Sequence, residues 1–274
     1  MQNNKSTNRI YHGECVIFII IIVLLGAVLL YLLFKDQVNI WRWQHSLKLK
    51  QHQTILNTLT AHHNGFVLSK QARLAGDAPE YVYGEIDFMS FIALLSLTKP
   101  NASTVFYDLG SGTGKTVLAS AMVFPIKKSC GIELFTELHR AAEAQRQALL
   151  QLPSYSTTAQ RIHFLNANFL DTDLWSVNMS SSTQYPPTPQ GVNRETTCRR
   201  TLADATLIFI NATGYFGETW DILNGHLDTL VHCRTIITTS KQLSSKQYKI
   251  HKMTQVKMSW GIVKAYIHNR ACHP

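Results

Sequence analysis

The chain has 274 residues, of which 45% are hydrophobic and 16% charged, with a formal net charge of +9 and a pI near 9.3. That is enough for one good-sized domain plus an appendage, and the basic balance favours an anionic partner: a lipid surface, a nucleic acid or an acidic protein face. Five scattered cysteines (Cys15, Cys130, Cys198, Cys233, Cys272), none spaced C-x-x-C, argue against a disulfide framework or a zinc ribbon, and no H-E-x-x-H supports a metal.

Residues 1–14 form a short N-terminal tail. Residues 15–34 then read CVIFIIIIVLLGAVLLYLLF, without a charged or amide side chain. Twenty residues of helix rise about 30 Å, the thickness of a bilayer core. A cleaved signal peptide would be shorter and end on small residues, whereas this run ends in Leu32-Leu33-Phe34 and is followed by Lys35, Trp41 and Trp43. The reading is one transmembrane helix. Lys5 and Arg9 precede it; Lys35, Arg42, Lys48 and Lys50 follow, which places the C-terminal part in the cytoplasm.

Residues 35–78 read as a juxtamembrane helical linker with Leu47, Ile55, Leu56 and Leu59 on one face. It either attaches to the headgroup layer or packs on the main domain. That domain, 79–274, alternates helices and strands: helix 88–97, strand 104–109, helix 116–124, strand 129–133, helix 136–152, strand 161–166, strand 206–210, helix 220–230 and strand 235–239. Strands at 255–258 and 261–268 form a final hairpin. Such alternation predicts an α/β, Rossmann-like, doubly wound and mostly parallel seven-stranded sheet with an antiparallel edge. Residues 178–201, rich in Ser, Thr, Pro, Gln and Asn, read as an irregular surface insertion, either gating substrate or serving as a plain loop.

The chemistry concentrates in VFYDLGSGTGKT, residues 105–116, a strand that turns through glycines into a helix. A Walker A loop needs G-x-x-x-x-G-K-[ST], but Leu109 stands where its first glycine belongs. A dinucleotide loop needs G-x-G-x-x-G, but Lys115 occupies the last position. What remains is an acid, Asp108, two residues before Gly110, Gly112 and Gly114 in G-x-G-x-G spacing. A carboxylate there suits the cationic amino-acid end of S-adenosylmethionine, and Glu133, at the end of the next strand, is placed to accept ribose hydroxyls. Thr116, where the loop opens into its helix, joins this cofactor-binding set.

With Glu133 and the strand order, this motif resembles the class I, seven-stranded S-adenosylmethionine-dependent methyltransferases. Within them the chain is similar to non-SET lysine methyltransferases of the disruptor-of-telomeric-silencing type, over about residues 81–270. Val82-Tyr83-Gly84-Glu85 resembles that family's cofactor-covering loop, so Tyr83 and Glu85 are implied cofactor contacts. Asn168-Phe169-Leu170 stands where the family has an acid-Phe-Leu that holds adenine. Asn211 matches an Asn at the reaction centre, and Tyr215-Phe216-Gly217 an aromatic wall; the resemblance implies Asn211, Tyr215 and Phe216 as the catalytic set. Three positions depart from the family pattern: Asn168 replaces an acid, Ile86 replaces a hydroxyl residue, and one residue is added between Asn211 and Phe216. A second similarity is to small membrane-anchored lysine methyltransferases acting on a membrane ATP synthase subunit. The implied activity is a membrane-anchored protein-lysine N-methyltransferase. A small-molecule or lipid methyltransferase and, through Lys115-Thr116, a nucleotide-binding protein are the alternatives. A nucleic-acid partner is allowed by charge, without a motif to carry it.

Overall fold

A computed structural model describes residues 4–78, 81–175 and 202–271, the side chains of 4–19, 22 and 75 excepted. The insertion expected at 178–201 lies outside the described residues. The chain forms two compact units, Met1–Lys50 and Gln51–Pro274.

Most of the first unit is one long helix, α1 (Asn4–Ser46). Leu24, Leu25, Leu29 and Leu33 on it are all exposed. Among the described residues it is the one helix long and apolar enough, by length and composition, to cross a bilayer, over Val23–Ser46. Part of the 15–34 span lies among residues whose side chains are not described.

In the second unit, residues 51–78 are largely helical. Most of α2 (Leu49–Thr60) and α3 (Gly65–Ala72) belong to it. Asn64 caps α3, its Oδ1 accepting from the N–H groups of Phe66 (3.1 Å) and Val67 (3.3 Å). Asp87 caps α4 (Phe88–Ser96) by accepting from Ser90 N at 3.0 Å.

The sheet contains β1 (Val105–Leu109), β2 (Lys128–Glu133), β3 (Ile162–Asn166), β4 (Leu207–Ile210), β5 (Thr235–Thr239), β6 (Tyr248–Met258) and β7 (Gly261–Arg270). Their order is β3-β2-β1-β4-β5-β7-β6, parallel through β5 and antiparallel for β7 and β6. The seven-stranded, mostly parallel sheet with an antiparallel edge is therefore present. Its helices are α5 (Lys115–Val123), α6 (Thr136–Leu150), α7 (Ser156–Gln160) and α8 (Gly217–Thr229).

Every residue of β1 is buried, as a central parallel strand covered on both faces must be. Tyr107 and Leu109 join Ile208, Ile210, Leu223 and Leu227 in one core. Phe106 and Phe209 point the other way, meeting Phe91 of α4 edge-on at 6.2 and 5.4 Å. Phe91→Ala would cost about 3–5 kcal/mol through the cavity it leaves. Strand order reverses at β1, whose neighbours are β2 and β4, and such a switch point opens a crevice at the carboxyl ends of the strands.

Two elements differ from the sequence expectation. β6 begins at Tyr248 rather than 255, because its first half is an edge segment exposed on both faces with a bulge between Ile250 and Lys252. The short α7 is an additional element between helix 136–152 and strand 161–166 of the sequence reading.

Candidate active site

The cleft opens at that switch point. The glycine loop leaves β1 and turns back on β2: Gly110 N and Ser111 N both donate to Ile132 O, at 2.9 and 3.0 Å. Gly110, Gly112 and Gly114 all have left-handed φ, and Gly114 caps α5. At Gly112 the requirement is twofold: φ is +55°, and a Cβ would stand 2.7 Å from Tyr83 Cε2.

Glu133 is buried at the carboxyl end of β2, and both its carboxylate oxygens are held by backbone. Oε2 accepts from Gly112 N at 2.7 Å and Oε1 from Phe135 N at 2.9 Å. Burial raises its pKa, while the N–H groups of Phe135, Gly112 and Leu134 pull it down. Each oxygen keeps a further lone pair for a ligand hydroxyl.

Asp108, buried in β1, accepts a hydrogen bond from Thr116 Oγ1. Burial pushes its pKa up to about 7; the Thr116 bond opposes this and the nearby Glu133 adds to it. Among the described residues the buried Ser111 Oγ has no hydrogen-bond partner, and it lines the same cleft.

Tyr83 and Glu85 close over the loop. Tyr83 Oη donates to Glu85 Oε1 at 2.7 Å and lies 3.3 Å from Thr113 Oγ1. Burial, and then Glu85 beside it, push the phenol pKa far up, so it remains a donor. Lys115 Nζ reaches Glu85 Oε2 at 2.6 Å. This bears directly on the triphosphate alternative. The lysine is engaged with a carboxylate, and a second carboxylate, that of Glu133, holds the Gly112 N–H that a P-loop would offer to phosphate.

The Tyr83–Glu85 segment is anchored from far along the chain. Ser259 N donates to Glu85 O at 2.8 Å, Glu85 N donates to Ser259 Oγ at 3.2 Å, and Asp87 N donates to Lys257 O at 2.9 Å. The Trp260 ring lies so close over Gly84 that any side chain there would collide with it. Sequence reasoning passed over Trp260, Ser259 and Thr113; an aromatic residue before the glycine of a hairpin turn was the one available signal.

On the far wall, Asn211 follows β4. Its Oδ1 accepts from Thr239 Oγ1 (2.8 Å) and Thr213 Oγ1 (3.0 Å), and its Nδ2 donates to Gly84 O (3.3 Å). Asn211 thus ties the Gly84 segment to the ends of β4 and β5. Phe169 is buried and meets Tyr215 edge-on at 5.4 Å. Asn168 caps its own turn, accepting from Leu170 N at 2.9 Å.

Of the residues singled out from sequence, Tyr83, Glu85, Asp108, Gly110, Gly112 and Thr116 line this cleft. So do Glu133, Asn168, Phe169, Asn211 and Tyr215. Gly114 shapes the loop behind it. Phe216 is not in the lining: its ring is 59% exposed, with Lys241 Nζ 3.1 Å above its centroid. Lys241 Nζ also donates to the carbonyl of Tyr215.

Comparison with known proteins adds a family match. A family profile described as "Histone methylation protein DOT1" matches residues 73–184. That stretch takes in the cofactor-side candidates from Tyr83 to Phe169 and ends before Asn211. A protein-lysine N-methyltransferase of Saccharolobus islandicus (strain REY15A) is 28% identical over 81 residues, covering 30% of this chain and 46% of that protein. The match thus spans less than half of that relative. Among solved structures, an RNA methyltransferase from Salinibacter ruber in complex with S-adenosyl-L-homocysteine aligns with a TM-score of 0.43 and 14% identity, covering 67% of this chain and 92% of that one. Magnesium protoporphyrin IX methyltransferase from Synechocystis PCC 6803 with bound SAM aligns with a TM-score of 0.42 and 11% identity, covering 67% and 78%. By strand order, loop motif and profile match, the chain resembles the class I, seven-stranded methyltransferases, the DOT1 type among them.

Proposed function

We propose that this chain is a membrane-anchored, S-adenosylmethionine-dependent protein-lysine N-methyltransferase, with α1 as a single span and the catalytic unit on the cytoplasmic side. The observation that carries the cofactor reading is Glu133, a buried carboxylate fixed by two backbone N–H groups beside a left-handed Gly112. The residues present fit the group. Glu133 offers acceptors for two ribose hydroxyls, Phe169 and Leu138 offer apolar surface for adenine, and Asp108 offers a carboxylate to an ammonium. A cation beside Asp108 would also favour its ionised form.

When bound, S-adenosylmethionine supplies an electrophilic methyl. The chain's own residues align and desolvate around it. Tyr83 covers the cleft, held by Glu85 and Thr113. Asn211, fixed by two threonine hydroxyls, holds the covering segment in place. Tyr215 and the edge-on Phe169 form an aromatic wall along which an uncharged amine could approach. The cleft's acids are already engaged: Glu85 with Tyr83 and Lys115, Asp108 with Thr116, and Glu133 with backbone. No free base stands in the cleft among the described residues, so the acceptor amine would give up its proton to water.

Lysine as acceptor is supported by the DOT1 profile match and by the lysine-methylating relative. The anchor is supported by the length and apolar composition of α1. The test is methyl-label transfer by the full chain in a native membrane extract, with mass spectrometry of the labelled material. Label on a protein lysine is the expected result. Label in the lipid fraction would refute the acceptor, and binding of ATP without S-adenosylmethionine would refute the cofactor.

A further inference from the structure

After Asp228 the chain has eight Lys and Arg residues and no Asp or Glu, so this terminal stretch carries +8 of the net +9. The rest of the chain is nearly balanced. Most of this charge falls on or beside the β6–β7 hairpin, and β6 is one of the two edge strands of the sheet.

Register places Lys257 opposite Ile262, Gln255 opposite Lys264, and Met253 opposite Tyr266, all on one face. That face is open: Lys257, Gln255 and Lys264 are exposed, Met253 is 56% exposed and Ile262 72%. Ile250, on the next rung, is also exposed. Lys249 and Lys252, opposite Asn269 and Ile267, belong to the other face by register but stand exposed along the same edge strand. Among the described residues none of these four lysines forms an ion pair.

We propose that this outward hairpin face docks on an anionic phospholipid bilayer, its lysines at headgroup phosphates and Met253 and Ile262 at the acyl boundary. The inference rests on the anchored reading above. Charge complementarity calls for an anionic partner. The interleaved aliphatic residues choose among anionic partners: a phosphodiester backbone gives Ile262 nothing, whereas a lipid interface takes lysine and aliphatic side chains together. A membrane helix on the same chain would hold the catalytic unit at high local concentration beside such a surface, so modest intrinsic affinity suffices.

The experiment uses the full chain in nanodiscs of phosphatidylglycerol or phosphatidylcholine, read by hydrogen exchange of the β6–β7 peptides. Exchange at least about tenfold slower on the anionic discs is expected, given the strength of lysine attraction to such surfaces. The protection should vanish at high salt and fall in a K257Q/K264Q variant that keeps the wild-type Tm. A second variant, M253S/I262S, should lose part of it. Equal exchange on the two lipids would overturn the proposal. So would protection on phosphatidylcholine discs produced by an added RNA oligonucleotide, which would assign the face to nucleic acid. S-adenosylmethionine affinity measured on the same discs separates the two readings: affinity retained without lipid protection removes only the docking surface, and recovery of the protein outside the discs removes the anchor.

Discussion

Replacing Glu133 with alanine removes a carboxylate that faces both the protein and the cleft. On the ligand side, two charge-assisted hydrogen bonds to ribose hydroxyls are lost, each worth about 1.5–3 kcal/mol. Together they weaken cofactor binding by about 10²-fold or more. On the protein side, Gly112 N and Phe135 N lose their acceptors. Each stranded donor costs about 1–3 kcal/mol unless water enters to replace the oxygen. The variant should therefore melt several degrees lower and also bind more weakly. The two effects separate if affinity is measured by titration calorimetry well below the variant's Tm. Glutamine is not a neutral control, because its amide NH2 would face one of the two backbone donors. A folded Glu133→Ala protein with unchanged S-adenosylmethionine affinity would refute the ribose assignment and the chain of reasoning that begins at Gly112.

Asp108, with its pKa pushed up to about 7, gives a pH prediction. The folded state holds this proton more tightly than the unfolded one, so stability from this group is full at low pH and declines as pH rises from about 4 to about 7. Asp108→Asn should flatten that decline, raise the cofactor-free Tm near pH 7.5, and weaken cofactor binding; a Tm–pH profile unchanged by the substitution would contradict the buried-acid description. Lys115→Met should cut methyl transfer only a few-fold, since it breaks a part-buried ion pair that solvent still reaches, worth about 1 kcal/mol; loss of all activity together with measurable ATP binding in the wild type would favour the triphosphate alternative. Trp260→Ala should free the segment at Gly84 and weaken cofactor binding about fivefold to tenfold through lost preorganisation, with little change in far-UV circular dichroism. Equal cofactor affinity would show that the segment holds its position without the ring.

The strand–turn–helix at 105–116 was legible because it depends on local rules: β-branched and aromatic residues, then glycines, then small helix formers. The five parallel strands followed from alternation with helices, and the last two from reading a terminal hairpin. What stayed hidden was long-range. Nothing near Gly84 in sequence announces Trp260, and nothing near Asn211 announces Thr239. The start of β6 was missed because an edge strand exposed on both faces, interrupted by a bulge, lacks the two-residue period that burial imposes. Lys115 drew attention as a phosphate reader when its partner, Glu85, was thirty positions away. Phe216 was read into the wall beside Tyr215 because the two are neighbours in sequence. Along an extended backbone adjacent side chains face opposite ways, so when Tyr215 enters the cleft Phe216 leaves it.

The segment at 83–87 is fastened at two ends of the fold, by side chains to the glycine turn and by main-chain bonds to the tip of the last hairpin. Exchange of a small molecule beneath it is therefore coupled to local opening of the carboxyl-terminal strands. Turnover should slow wherever those strands are stiffened, even by an event on the outer surface that never reaches the cleft.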